Sequence, residues 1–256
     1  TLVFNDKYRV KIATRNVNIP GIQNFRDLGG YPSYSTKKQV RWGMIYRSAE
    51  IDSLECYSRR ELRNLGIKTL IDLRASSETG RQFNVVHIPL ATGDMENILK
   101  GIREEKIKSD TVYRMVEQMN RDLIDKYTTE YRQIFDILLD KNSYPVVIHC
   151  SSGKGRTGIV SALVLAALGI NEDIIMEDYR LSNDYFNIPS ASKDAYQLPA
   201  RSQEAITTLF SAREDFLNAA KEEAERRYGD IDSYLQKGIG LNKDEIKRLR
   251  SILLSD

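Results

Sequence analysis

The sequence predicts an α/β fold, a small and mostly parallel sheet flanked by helices, with a helical C-terminal addition. Three observations predict it. Two apolar runs, Ile67 to Leu73 and Pro145 to His149, are short enough to be buried strands. A segment apolar almost all round, Thr157 to Leu168, follows the second run after a short loop and reads as a core helix. From Ser202 to Asp256 apolar residues alternate with Glu, Lys and Arg at helical spacing, broken near Gly229 and Gly238 to Gly240, which implies at least three helices.

The remaining elements follow along the chain. Leu2 to Ile19 interleaves β-branched and aromatic residues with charge, as one or two edge strands wrapped on the domain would. Pro20 and Gly21 punctuate the chain before Asn24 to Tyr31, where Gly29 and Gly30 mark a turn. Met44 to Arg47 is a short strand, and Ser58 to Leu65 is a helix stopped by Gly66. Asn84 to Leu90 is a further short strand leading into a loop with Gly93 and Asp94, and Thr111 to Leu139 is one long charged segment with helical spacing. Gly169 suits the C-cap of the core helix. The expected organisation is an edge-strand extension over 1–23, a core over 24–200 that carries the chemistry, and a helical part over 201–256 packed on it.

Of the 256 residues 41% are hydrophobic, enough to bury a full core. Lys and Arg number 38 against 36 Asp and Glu, so the formal charge of +2 makes no electrostatic case for nucleic acid or a general membrane surface as partner. Any anion recognition is local. Cys56, Cys150, His87 and His149 are too few and too badly spaced for a zinc site or a disulfide framework, so neither metal nor cofactor is expected. No stretch approaches the roughly 18 apolar residues of a membrane span, and a soluble chain is expected. The start at Thr1 rather than Met leaves room for a leader removed by processing. Cytoplasm and export both stay open, as does the oligomeric state.

The informative segment is His149-Cys150-Ser151-Ser152-Gly153-Lys154-Gly155-Arg156-Thr157-Gly158. It places a thiol, five intervening residues and an arginine in a strand-to-helix loop. Backbone N–H groups and the dipole of the following helix converge there on one point, which makes an anion pocket from Ser151, Ser152, Gly153, Lys154, Gly155 and Arg156. Gly153 and Gly155 are expected to supply the backbone angles of such a cradle. A thiol at a helix N-terminus beside a fixed cation falls from about 8.5 to roughly 3.5–7.5, so Cys150 is expected to be a thiolate nucleophile. Arg156 can hold two phosphate oxygens through paired hydrogen bonds. Thr157 is placed to donate its hydroxyl to the sulfur, and His149 is expected to order the loop through hydrogen bonds rather than to act as a base. A nucleotide-binding P-loop needs a Gly-Lys pair followed by Ser or Thr, with a glycine five residues earlier, and the segment fails both tests.

At this loop the chain resembles the protein tyrosine phosphatase superfamily, whose signature is His-Cys, five residues, Arg and then Ser or Thr. More narrowly it is similar to an atypical bacterial tyrosine phosphatase group of mycobacterial type. Asn24-Phe25-Arg26-Asp27, Arg47-Ser48-Ala49-Glu50, Ile71-Asp72-Leu73-Arg74 and Asp178-Tyr179-Arg180-Leu181-Ser182-Asn183 match that group's motifs, as do Tyr228-Gly229 and Tyr234-Leu235. The resemblance covers nearly the whole chain from Asn24 onward. It implies the cysteine-dependent phosphatase fold and hydrolysis of phosphate monoesters through a phosphocysteine. The implied substrate is phosphotyrosine first, then phosphoserine or phosphothreonine. The group commonly carries Asp where this chain has Gly155, so an acid role for that aspartate does not transfer. Lys154-Gly155-Arg156 instead resembles the loop of phosphatases that act on phosphoinositides, which adds such a lipid to the implied substrates.

The leaving oxygen needs a proton, and two carboxylates are candidates for the donor. Asp72 ends a buried strand and stands first; Asp94 lies in the loop after the next strand. Their structural alternatives are an ion pair with Arg74 or Arg26, and a solvated turn. Two rival functions stand beside the phosphatase: a non-catalytic phosphate-binding module, favoured by Gly155, and a sulfurtransferase of the rhodanese type, weakened by Arg156 and Thr157.

Overall fold

The computed structural model describes residues 2–4, 8–10, 13–52, 54–76 and 83–255, and its architecture is the expected α/β one. β1 (Leu2–Phe4) and β2 (Tyr8–Val10) pair antiparallel with each other. The expected edge strands thus satisfy their backbone groups as a separate hairpin and do not extend the main sheet. β3 (Arg26–Asp27), β4 (Pro32–Ser33), β5 (Lys38–Val40) and β6 (Ile45–Ser48) lead to α1 (Cys56–Asn64), which carries the exposed second cysteine and ends before Gly66 at φ +71°. β7 (Thr69–Asp72) and β8 (Asn84–His87) follow.

The long charged segment is two helices rather than one. After α2 (Met95–Arg103), α3 (Ser109–Lys126) and α4 (Thr128–Leu138) are separated at Tyr127, whose backbone leaves the helical region at φ −120°, ψ 27°. The Tyr127 hydroxyl donates to the Ala91 carbonyl at 3.0 Å, and the Thr128-Thr129 pair that follows is β-branched, so the chain restarts there at little cost.

β9 (Val146–His149) is buried at every position and feeds α5 (Gly155–Ala167). Ile159, Val160, Leu163 and Val164 bury both flanks of this helix, each stabilising the fold by about 1.5–3 kcal/mol. α6 (Glu172–Arg180), α7 (Ser182–Tyr185), α8 (Ile188–Ala191), α9 (Ala200–Phe210), α10 (Glu214–Tyr228), α11 (Ile231–Ser233) and α12 (Lys243–Leu253) complete the helical layers. α12 starts on a capping box, in which Asn242 accepts from Glu245 N and the Glu245 carboxylate accepts from Asn242 N. β10 (Leu254–Ser255) then returns the chain to β5, a pairing that a two-residue strand does not announce in sequence.

The main sheet has the order β3-β6-β9-β7-β8, parallel except for β3. β9 is central, with Ile148 level with Arg47 on one side and Ile71 on the other. Cys150 therefore leaves the middle of the sheet at its carboxyl edge, where α/β sheets gather functional groups. Among the described residues no helix is long and apolar enough to cross a membrane.

Candidate active site

The loop after β9 is held open by its neighbours. Arg47 Nη2 donates to Gly153 O at 2.7 Å, and Asn24 Nδ2 donates to Ser152 O and Gly153 O at 3.0 Å each. On the other side of the loop the N–H groups of Gly153 and Thr157 face the Cys150 sulfur. Gly153 sits at φ +68°, and a Cβ there would stand 2.5 Å from the Ser48 carbonyl, so the close approach of β6 demands glycine. Gly155 does not share that demand. It is the first residue of α5 and has open space where a Cβ would be, so the backbone need expected of it is not seen.

The loop rests on a buried charge network. Asp178 on α6 accepts from Arg47 Nη1 at 2.6 Å, from Arg26 Nε at 3.2 Å and from the Tyr31 hydroxyl at 2.9 Å. Burial opposes its charge, but the two guanidinium groups outweigh it and hold the carboxyl well below the usual carboxylate range. Arg26, buried and facing Arg47, is pushed down to about 10.

Cys150 is 2% exposed. Burial opposes ionisation of its thiol, yet the Arg156 charge, the Thr157 hydroxyl and the N–H groups of Thr157 and Gly153 hold it below its ordinary value. The Thr157 hydroxyl is buried and makes no hydrogen bond of ordinary geometry among the described residues. Arg156 donates to Leu73 O at 3.2 Å and to Ser151 Oγ at 3.2 Å, spanning from the end of β7 across the loop.

His149 departs from expectation. Neither ring nitrogen has a hydrogen-bond partner among the described residues, and Nε2 stands 4.0 Å from Asp72 Oδ2. Burial lowers the ring to about 4, so it is neutral and acts by packing at the centre of the sheet. Asp72 ends β7 with its side chain fully buried; Arg74 binds both its oxygens at 2.9–3.0 Å, and the Arg74 N–H adds a third bond. Arg74 in turn pairs with Asp52. Asp94 caps α2, accepting from Asn97 N at 3.0 Å, and the residues around it, Thr92 and Met95, line the cavity above Cys150.

That cavity, about 90 Å³, has Cys150, Ser152, Lys154, Gly155 and Arg156 on its floor. Its walls are Met95 of α2, Met119 and Asn120 of α3, Leu209 of α9 and Phe216 of α10. Lys154 is 4% exposed; its Nζ lies 4.2 Å from the Phe186 ring centre and 5.2 Å from that of Phe210, with no hydrogen-bond partner among the described residues. Burial lowers its ammonium to about 7, against the pull of the Cys150 thiolate. A larger apolar cavity of about 450 Å³ lies behind α5, against α6 and α10, but the thiol and both loop cations are in the small one. Arg47, Asp178, Asn120, Phe186 and Phe210 had no assigned role in sequence; the first two lay inside the matched motifs, the others carried no signal.

Residues 17–255 match the model of the tyrosine phosphatase family. The chain belongs to that family. It is thus a phosphoric monoester hydrolase. The phosphatase is 29% identical to the triple specificity protein phosphatase PtpB of Mycobacterium tuberculosis, over 92% of this chain and 98% of that one. It is 26% identical to a putative tyrosine-protein phosphatase of Cupriavidus necator, over 88% and 85%. Among solved structures it is similar to TpbA of P. aeruginosa at 15% identity, covering 67% of this phosphatase and 89% of that chain with a TM-score of 0.32, too low to bear on the fold.

Proposed function

We propose that this phosphatase hydrolyses phosphotyrosine in two steps, with Cys150 as nucleophile, Arg156 as phosphate clamp and Thr157 stabilising the thiolate. The observation that carries the reading is a buried thiol that shares one cavity with Arg156 and Lys154 under apolar walls, with the Arg156 charge and the N–H groups of Gly153 and Thr157 favouring its thiolate. Sulfur attacks phosphorus, the phenol leaves with a proton, and water then releases phosphate from the phosphocysteine. Ser151, Ser152, Gly153, Lys154 and Gly155 contribute the cradle. Met95, Met119, Leu209 and Phe216 favour an aryl ring over a polyhydroxylated head group.

Asp94 is the better candidate for the leaving-group acid, because it stands between cavity-lining residues while Asp72 is sealed against Arg74. Across a series of aryl phosphates, Asp94→Asn should turn a nearly flat dependence on leaving-group pKa into a steep one. Asp72→Asn should instead lower thermal stability and leave the slope flat. A steep slope in Asp72→Asn alone would restore Asp72 to the acid role.

A second reading, phosphoinositide hydrolysis, is favoured by the unpartnered Lys154 ammonium inside the cavity. Phosphotyrosine peptide and phosphoinositide, each assayed with wild type and Lys154→Met, separate the two. Phosphotyrosine should be the better substrate in kcat/KM, and phosphoinositide the more weakened by Lys154→Met. The lysine carries its charge below about 7 in the free enzyme and loses it above, so kcat/KM should fall on the basic side of about 7. Lys154→Met should lack that limb. A better phosphoinositide kcat/KM in wild type would reverse the order of the two readings.

A further inference from the structure

We infer that Asn120 holds the water that hydrolyses the phosphocysteine, an inference that rests on Cys150 being the nucleophile. Asn120 is 3% exposed on α3 and lines the cavity above Cys150. Its Nδ2 donates to Val116 O at 2.8 Å. A carbonyl only accepts, so this bond fixes which end of the amide faces the helix backbone. Oδ1 is left buried with no hydrogen-bond partner among the described residues. A buried acceptor without a donor is unfavourable, and such a group marks a place where a donor belongs.

The chemistry of the cavity narrows that donor. The loop N–H groups and Arg156 are donors suited to phosphoryl oxygens. The phosphoryl oxygens and the sulfur are acceptors and cannot serve Oδ1. The Lys154 ammonium lies over Phe186 and Phe210 and makes no hydrogen bond. Water remains. The cavity of about 90 Å³ is about three times the volume a water takes in the liquid, room for a phosphoryl group beside a water once the leaving group has gone. In the step served, the water oxygen bonds to phosphorus as the P–S bond breaks and the electron pair returns to sulfur. The phosphocysteine dianion and water thus give the Cys150 thiolate and dihydrogenphosphate, with both water protons leaving on the phosphate. Asn120 takes no proton; it is a positioning residue that orients one O–H.

Asn120→Ala and Asn120→Leu both remove the acceptor, one leaving a void and the other a near-isostere, so a packing effect would separate them. In rapid-quench turnover of an aryl phosphate, both should slow dephosphorylation by about tenfold. Both should raise the fraction of enzyme held as phosphocysteine and leave the first-step rate constant unchanged. A trapped phosphocysteine with the wild-type lifetime in both variants overturns the role of Asn120 alone. So does a loss seen in one variant only, or shared equally with the first step. If no phosphocysteine forms in any protein while Cys150→Ser still turns over, the nucleophile reading falls and this inference with it.

Discussion

Asp178→Asn should destabilise the protein by about 3–5 kcal/mol and cost most of its activity, although residue 178 lines no part of the catalytic cavity. The side chain is 1% exposed and neutralises two guanidinium groups that are themselves fully buried. An amide keeps the shape and removes the charge, which leaves Arg26 and Arg47 facing each other uncompensated. Arg47 is also the donor that ties back Gly153 O, so the loop loses an anchor along with the charge balance. The pH dependence has a definite sign. The carboxyl is depressed in the folded state, so its stabilisation is present above the unfolded carboxylate pKa of about 3.9 and is lost as pH falls through the lower folded value. Urea melts at neutral pH should show the loss in full, and the acid limb of stability should flatten in the variant. A melting midpoint equal to wild type would show that the network is not what holds the loop.

Much of the sheet was legible because its strands are buried on both faces and read as short apolar runs. Val146 to His149 and Thr69 to Asp72 both fell within the expected segments. The core helix was legible for the same reason, since α5 has no polar face to supply a periodic signal and is apolar almost all round. Where local chemistry was weak, tertiary contacts decided. The β5–β10 pairing joins residues more than two hundred positions apart through strands of three and two residues. The break at Tyr127 depends on its bond to Ala91, across 36 positions, which no window of helical periodicity contains.

The site divides in the same way. Cys150, Arg156 and Thr157 could be proposed as a group from the sequence because the chemistry requires such residues at fixed spacing within one loop. The choice of acid was not legible, because a carboxylate's part depends on which neighbour claims it: Arg74 claims Asp72 from two residues away, and Asn97 claims Asp94 at the start of α2, between the cavity-lining Thr92 and Met95. His149 sits where a loop-ordering hydrogen bond was expected, but at the centre of the sheet its ring finds no hydrogen-bond partner among the described residues. Asn120 on α3, Phe210 on α9 and Phe186 between α7 and α8 converge near the loop only in three dimensions; an asparagine at an otherwise apolar helix position is the faint trace of the first.

Cys150→Ser should abolish turnover while leaving binding of phosphate largely intact, because the cradle is made of backbone N–H groups and Arg156 rather than of the thiol. Serine is nearly the same size, so the buried position tolerates it, but its hydroxyl cannot be ionised by the Arg156, Thr157 and Gly153 contacts that act on the thiol. Turnover should fall by several orders of magnitude, with phosphate still protecting the variant against thermal unfolding. The direct measurement is acid quenching of wild type during turnover of an aryl phosphate, followed by mass analysis of the peptide that contains Cys150. That peptide should carry one phosphoryl group, lost on standing as phosphate is released, and none in Cys150→Ser. Sustained turnover with an unmodified Cys150 peptide, or a Cys150→Ser protein as active as wild type, would contradict the nucleophilic role of Cys150.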